Sequence, residues 1–118
     1  MGKWYSRPLI FVSDLDRASE FYVGQLGFKE AWRHGEDGHE FVAQVERDGC
    51  ELILSSQWPE RVSNAIIFVS LETKDVDPVR ASLEAKGLSI REGWWGYPLM
   101  IVEDPDGNEI WIPTNNAE

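Results

Sequence analysis

Four short segments of the chain are apolar without interruption, and we interpret each as a strand covered on both faces. They centre on residues 9–11, 52–54, 66–69 and 110–112. A strand with one wet face alternates apolar and polar positions, so an unbroken apolar run indicates two covered faces. One face of such a strand can pack against helices. The other then lines a second core, an interface or an apolar pocket.

Two segments predict helices. The first spans residues 16–25, with Ala18, Phe21 and Tyr22 on one face at the spacing of an amphipathic helix. It follows the sequence Ser-Asp-Leu-Asp at positions 13–16, whose side-chain oxygens can cap a helix N-terminus. The second follows Asp-Val-Asp at positions 75–77, holds Pro78 in its first turn, and ends at a glycine, as the first helix does.

The remaining segments predict strands and turns. Strands are expected at residues 4–12, 28–33, 40–46, 50–55, 65–71, 88–92 and 97–103, and at 110–112. Turn chemistry occupies residues 34–39, residues 47–49 and the Asp-Pro-Asp-Gly stretch at 104–107. Residues 57–64 are polar and read as a connector.

The two halves of the chain repeat one pattern. The pairs Asp14 and Asp75, Gly27 and Gly87, and Asp48 and Asp106 are 61, 60 and 58 residues apart. A near-constant offset predicts two βαβββ modules, at about residues 1–58 and 63–114, in an α+β domain spanning residues 1–118.

This repeat resembles the vicinal oxygen chelate superfamily, which includes glyoxalase I, extradiol dioxygenases and bleomycin-resistance proteins. The resemblance is carried by VSDLDRASEFY at residues 12–22, LGF at 26–28, DVD at 75–77 and EDPDGN at 103–108. It implies paired βαβββ modules whose strands curl into an open half-barrel sheet. Helices would lie on the convex face and a ligand cavity on the concave face. Two chains often combine in this superfamily, so a homodimer is expected.

Metal-using members place His, Glu or Gln ligands on the first and last strand of each half. By the resemblance, these positions fall on Arg7, Ile53, Phe68 and Trp111, and none of these side chains suits a divalent metal. We therefore expect neither a metal nor another cofactor. A shift of two residues would instead bring Glu51 and Glu109 to the cavity. His34 and His39 are five residues apart in a predicted turn and are read as surface residues.

Charge narrows the choice of partners. The chain has 21 acidic and 11 basic side chains, a net charge of −10, and no basic stripe for nucleic acid. No apolar run approaches the roughly 20 residues of a membrane helix, and a cytoplasmic location is expected. The single cysteine, Cys50, excludes an intrachain disulfide framework and reads as a small buried hydrophobe.

Aromatic side chains supply the main functional signal, since the chain has 6 tryptophans. Aromatic walls suit planar or cationic organic ligands, although they can also fill a core or a dimer seam. Arg7 is the one charged candidate, and it suits either a ligand anion or a nearby acidic side chain. The candidate ligand-binding residues are Trp111, Phe68, Arg7, Ile53, Trp32, Phe41, Trp94, Trp95 and Tyr97.

The favoured hypothesis is a metal-independent binding protein of the bleomycin-resistance type, with no catalytic residues and with antibiotic resistance as its biological setting. Its ligand would be an aromatic or cationic organic molecule. The alternative is an enzyme of the same superfamily, a lyase, isomerase or dioxygenase acting on a small oxygenated substrate. Glu51 or Glu109 would then be its base or metal ligand, and Arg7 would orient the substrate. A dimeric scaffold without a ligand is a third hypothesis.

Overall fold

The computed structural model describes residues 2–114 and forms two compact units that divide between Ser63 and Asn64. Met1 and residues 115–118, the ends of the predicted domain, lie outside the described residues. Each unit has its own four-stranded sheet. No helix within residues 2–114 is long and apolar enough to cross a membrane.

The first unit has the order βαβββ. Its elements are β1 Leu9–Phe11, α1 Leu15–Ser19, a π-helical continuation Glu20–Gln25, β2 Lys29–Glu36, β3 His39–Arg47 and β4 Cys50–Ser55. A 3-10 turn, Pro59–Arg61, follows. The sheet order is β1-β4-β3-β2, with β1 parallel to β4 and the other pairs antiparallel.

The second unit repeats this topology. Its elements are β5 Ile66–Phe68, α2 Thr73–Ala85, β6 Arg91–Trp94, β7 Pro98–Glu103 and β8 Glu109–Pro113. The order β5-β8-β7-β6 has β5 parallel to β8, as expected when a helix connects the first strand to the rest of the sheet. The predicted α+β class and the paired βαβββ modules are confirmed.

Each sheet has a helix face and an open face. In the first unit the helix face carries Ala43, Val45, Leu52 and Leu54, all essentially inaccessible to solvent. In the second unit Arg80 of α2 forms an ion pair with Glu92 on β6, which identifies the helix face there. The opposite side of each sheet is called the open face below.

The first strand of each unit differs from the prediction of two buried faces. Ile10 and Ile67 are buried on the helix faces, whereas Leu9 is 44%, Ile66 57% and Phe68 42% exposed. These are edge strands of three residues, so alternate side chains reach the open face. The predicted 4–12 strand is also shorter, because Pro8 has no N–H to continue the ladder.

The turns are tighter than the sequence suggested. The predicted turn over residues 34–39 reduces to Asp37-Gly38, and Asp48-Gly49 forms a second two-residue turn. Both residues of each pair have positive φ, between 48° and 92°. This left-handed backbone matches the twist of a hairpin, so strands can run directly into the turn. Gly35 lies within β2 at a bulge, where a Cβ would approach the His39 carbonyl oxygen to 2.0 Å.

The helix ends were predicted with mixed success. Asp14 caps α1 by accepting a hydrogen bond from the Arg17 amide at 3.0 Å, as the sequence indicated. Helix α2 instead begins at Thr73, so Pro78 is its sixth residue and the prediction of a first-turn proline is wrong. Strand β6 likewise lies later than the predicted 88–92.

A buried polar clamp fixes the start of β5 against β8. Asn108 is inaccessible to solvent, and its Oδ1 accepts a hydrogen bond from the Ala65 amide at 2.8 Å. The Asn108 Nδ2 donates to Asp104 Oδ2 at 2.8 Å, and its backbone N–H donates to Asp104 Oδ1 at 2.9 Å. The Glu109 amide donates to the Ala65 carbonyl at 2.8 Å. These bonds hold both strands in one register.

Arg33 ties the helix of the first unit to its sheet. Its guanidinium lies 2.6 Å from Asp16 on α1, 2.9 Å from Glu30 on β2 and 3.2 Å from Glu40 on β3. Ser19 also donates to Glu30, at 2.8 Å. The hydrogen bonds from Arg33 are the largest cause that lowers the pKa of the Glu30 carboxyl.

Replacing Arg33 with methionine should lower the free energy of unfolding by about 1–2 kcal/mol at pH 7. The pKa of Glu30 lies below its usual value of 4.5, so the stabilisation is present above that pH and lost as the pH falls through the folded pKa. Urea unfolding at pH 7 and pH 3 measures both effects. The matched control is Lys74→Met, which removes an exposed pair with Glu72. A loss equal to that of the control would contradict the prediction.

Candidate functional site

Three aromatic rings form a cluster on the open face of the second unit. Phe68 on β5 is the register partner of Trp111 on β8. Trp95, in the loop between β6 and β7, lies edge-to-face with both rings, at centroid distances of 5.6 Å to Phe68 and 5.7 Å to Trp111. Phe68 is 42% and Trp95 58% exposed, so the cluster presents aromatic surface to solvent.

Charged groups border this aromatic cluster. The Trp111 Nε1 donates to Glu109 Oε1 at 2.8 Å, which fixes the indole. Arg91 donates to Glu109 Oε2 and to Glu103 Oε2, each at 3.0 Å. The charged group bonded to the Trp111 indole thus contains two carboxylates and one guanidinium, which leaves a net negative charge beside the aromatic surface.

A hydrogen-bond network centred on Gln44 occupies the open face of the first unit. The Gln44 Oε1 accepts from Arg7 Nη1 at 2.7 Å and from Trp32 Nε1 at 3.1 Å. Its Nε2 donates to Glu51 at 3.0 Å and to Glu46 at 3.3 Å. Gln44 is only 5% exposed, and both lone pairs and both N–H groups of its side-chain amide are used in these four hydrogen bonds. The network thereby fixes the orientation of the arginine and of the indole.

A polar cleft lies beside this network. It has a volume of about 390 Å3 and is lined by Lys29, Glu46, Arg47 and Glu51 together with the Asp48-Gly49 turn. The Tyr5 hydroxyl donates to Glu51, which brings the N-terminal segment to the edge of the cleft. Cys50 lies nearby in sequence, and burial raises the pKa of its thiol, which disfavours the reactive thiolate.

The structure separates the nine predicted site residues into groups. Phe68, Trp95 and Trp111 form the aromatic cluster. The backbone carbonyl of Tyr97 accepts a hydrogen bond from the Trp95 amide in the loop between β6 and β7. In the first unit, Arg7 and Trp32 meet at Gln44, and Ile53 is the register partner of Gln44.

Two of the nine predicted residues lie apart from these groups. Trp94 is 74% exposed and alternates with Gly93 onto the helix face. Phe41 shares the strand face of Ala43 and contacts the rings of His34 and His39.

The strand register changes one of the predicted equivalences. Leu9 pairs with Ile53 as Phe68 pairs with Trp111, so Leu9, and not Arg7, occupies the first-strand position of the first unit. The resemblance led to Arg7 because Asp16 and Asp77, the last residues of the motifs Asp-Leu-Asp and Asp-Val-Asp, were expected to be equivalent. They are not equivalent, because Asp16 is the second residue of α1 and Asp77 the fifth of α2.

The residues at these positions do not fit the metal site of metal-using relatives. The four side chains are Leu9, Ile53, Phe68 and Trp111, and none of them donates to a metal. Glu51 and Glu109 do lie on the open faces, each bound to neighbouring donors. Within residues 2–114 no three His, Cys, Asp or Glu side chains are grouped so that they could hold a metal ion.

Sequence reasoning missed Gln44, Arg91, and the group formed by Phe11, Trp58 and Arg61. Gln44 was read as one of the polar residues that alternate with Phe41, Ala43 and Val45. That alternation is correct. What the pattern could not show is that the opposite face is covered at this point, so that the amide is buried and bonded.

Comparisons with known proteins identify the family. The sequence model of the Glyoxalase/Bleomycin resistance protein/Dioxygenase superfamily matches residues 4–112. The chain therefore belongs to this superfamily. No curated protein matches the sequence significantly.

Solved structures share the fold at low sequence identity. TnmS3, an antibiotic binding protein from Streptomyces sp. CB03234, has a TM-score of 0.76 and 22% identity, covering 96% of this chain and 97% of its own. TioX from Micromonospora sp. ML1 has a TM-score of 0.70 and 22% sequence identity, and the match covers 91% of this chain and 96% of TioX. Lactoylglutathione lyase from Agrobacterium tumefaciens has a TM-score of 0.72 and 17% sequence identity, and the match covers 96% of this chain and 95% of the lyase.

Replacing Gln44 with leucine should lower the free energy of unfolding by about 1–3 kcal/mol, because its four hydrogen-bond partners lose their shared amide. The Trp32 indole should also lose its fixed orientation. Urea unfolding and the near-ultraviolet circular dichroism of the folded state measure the two effects. Gln57→Leu, at an exposed position, is the control. Equal stability and equal spectra for both variants would show that the network does not order this face.

Proposed function

We propose that this member of the superfamily is a small-molecule binding protein that takes a planar aromatic or cationic organic ligand and needs no metal ion. The observation that carries the proposal is the partly exposed aromatic cluster of Phe68, Trp95 and Trp111. An open sheet face with three adjoining rings offers a stacking surface to a flat molecule.

The cluster is suited to binding because two of its three rings are held before a ligand arrives. Trp111 is held by its hydrogen bond to Glu109, and Phe68 lies on a strand and contacts the Trp95 ring. A rigid binding surface loses little side-chain freedom on association, so more of the contact energy appears as affinity. Each well-placed ring pair contributes about 0.5–1.5 kcal/mol beyond the burial of apolar area.

Charge favours a cationic ligand over an anionic one at this cluster. Glu103 and Glu109 share a single guanidinium, that of Arg91, so one negative charge is left over. The chain as a whole carries a net charge of −10. Both the local and the overall field attract cations, and a cation over an indole face gains a further electrostatic attraction.

The comparison with solved structures supports a binding role. TnmS3 is described as an antibiotic binding protein and aligns over nearly the whole chain. We extend that role to this chain as part of the proposal, with an antibiotic-like molecule as the ligand and resistance by sequestration as the outcome. The apolar side chains at the family's metal positions support binding without a metal. A homodimer in the cytoplasm completes the proposal, following the superfamily resemblance.

The enzyme alternative draws support from the fold shared with lactoylglutathione lyase and from the open-face carboxylates Glu51 and Glu109. It is the weaker candidate, because both carboxylates are already bound by neighbouring donors and residues 2–114 contain no group of three metal-ligating side chains. Metal analysis of protein purified without a chelator should find less than about 0.1 equivalent of any divalent metal per chain. A stoichiometric metal would favour the enzyme.

Titration with cationic compounds that carry a flat aromatic group, such as bleomycin, berberine and an acridinium salt, should quench tryptophan fluorescence and raise the melting temperature. Trp95→Ala should weaken binding about tenfold or more, because a large exposed ring at the cluster is lost. The control Trp94→Ala removes the neighbouring indole, which lies on the other face of the strand.

The control should change the affinity by less than about twofold. Equal losses in the two tryptophan variants would move the site away from the aromatic cluster. Unchanged fluorescence and melting temperature with every compound would refute the proposed function.

A further inference from the structure

A second aromatic group lies in the first unit, and its charged member is a cation. Phe11, the last residue of β1, and Trp58, just before the 3-10 turn, lie edge-to-face with centroids 6.0 Å apart. The guanidinium carbon of Arg61 lies 5.6 Å from the centroid of each ring. Trp58 is 40% exposed, and Arg61 is exposed as well.

The backbone holds Arg61 in this place. Pro59 opens the 3-10 turn with a fixed φ, the Arg61 amide donates to the Trp58 carbonyl at 2.9 Å, and the Val62 amide donates to the Pro59 carbonyl at 3.2 Å. A short, hydrogen-bonded turn therefore sets the arginine beside the indole that precedes it. The guanidinium is positioned by rings and backbone, and not by an acidic partner.

The edge of the Arg61 guanidinium has no protein partner in the part of the chain that the structure describes. Five other basic side chains form ion pairs with carboxylates, namely Arg33, Arg47, Lys74, Arg80 and Arg91, whereas several exposed ones, Arg17 among them, form none within residues 2–114. Arg61 differs from Arg17 in lying against two aromatic rings. Within residues 2–114 no carboxylate lies within ion-pairing distance of Arg61, and the N–H groups of its guanidinium donate to no protein acceptor. A cation–π contact uses none of the five guanidinium N–H donors, which therefore remain available for a ligand.

We propose that Phe11, Trp58 and Arg61 form a binding subsite for a carboxylate attached to a flat apolar body. The guanidinium fork matches the two oxygens of a carboxylate, and a charge-assisted bidentate pair is among the stronger hydrogen-bonded contacts. The exposed indole supports the apolar body beside it. This preference is opposite in sign to that of the aromatic cluster in the second unit, where carboxylates border the rings, and it does not depend on the proposed function.

The test compares three probes of one shape and different charge: 2-naphthoate, 2-naphthalenemethanol and 2-naphthylmethylammonium. Calorimetric titration of the full chain should show that naphthoate binds more tightly than the neutral alcohol at low salt, with an advantage that falls as salt is added. Arg61→Gln should weaken naphthoate about tenfold and change the affinity for the alcohol by less than about twofold.

The matched control is Arg17→Gln, which removes the same charge at an exposed position on α1 and should leave the naphthoate affinity within about twofold of the parent. Arg61→Lys keeps the charge without the planar fork and should fall between the parent and Arg61→Gln. Melting temperatures of all the variants confirm that they are folded.

An NMR readout locates the naphthoate independently of these affinities. The indole N–H resonance of Trp58, assigned by its loss in Trp58→Phe, should shift with naphthoate in the parent and not in Arg61→Gln. The proposal is overturned if naphthoate binds no better than the alcohol, or if none of the three probes binds. Equal losses in Arg17→Gln and Arg61→Gln, or an unmoved Trp58 resonance, would also overturn it.

Discussion

The register of the first strand of each unit against its last strand is the constraint on which the open faces depend. Side chains alternate along a strand, so a slip of one residue would exchange the two faces. In the second unit the slip is prevented by Asn108, whose amide joins Asp104 to the start of β5. That buried polar clamp places Phe68 beside Trp111. The aromatic cluster therefore depends on an asparagine that no ligand would touch.

The two units use one topology to present different chemistry. Corresponding open-face rows run Leu9, Ile53, Gln44 and Trp32 in the first unit, and Phe68, Trp111, Ile101 and Arg91 in the second. At two of the four positions an aliphatic residue of the first unit, Leu9 or Ile53, corresponds to an aromatic residue of the second, Phe68 or Trp111. The helix face of the two central strands is apolar in both units, with Ala43, Val45, Leu52 and Leu54 in the first and Met100, Val102, Ile110 and Ile112 in the second. The open faces do not pack against the helices, and their residues differ between the two units.

The sequence predicts the scaffold better than the site, for physical reasons. Asp-Gly turns, the Asp14 cap and the repeated βαβββ order are local signals, and each is found in the structure. The burial of Gln44 is not local, because it depends on the strands that flank it and on Arg7. The position of Arg61 over two rings likewise depends on residues 50 positions apart in the chain. The aromatic candidates were identifiable from composition, but their separation into two groups required the register.

The pairing of first and last strands also bears on the order in which each unit assembles. Leu9 and Ile53 are 44 positions apart in the chain, and Phe68 and Trp111 are 43 apart, whereas the Asp-Gly turns join strands that are adjacent in sequence. Closing a long loop costs more entropy than closing a two-residue hairpin, and hairpins form within microseconds. The three-stranded meander of each unit is thus favoured to fold before its three-residue edge strand docks. Until that docking occurs, Leu9 and Phe68 have no partner, and the open faces do not yet exist as surfaces that a small molecule could recognise.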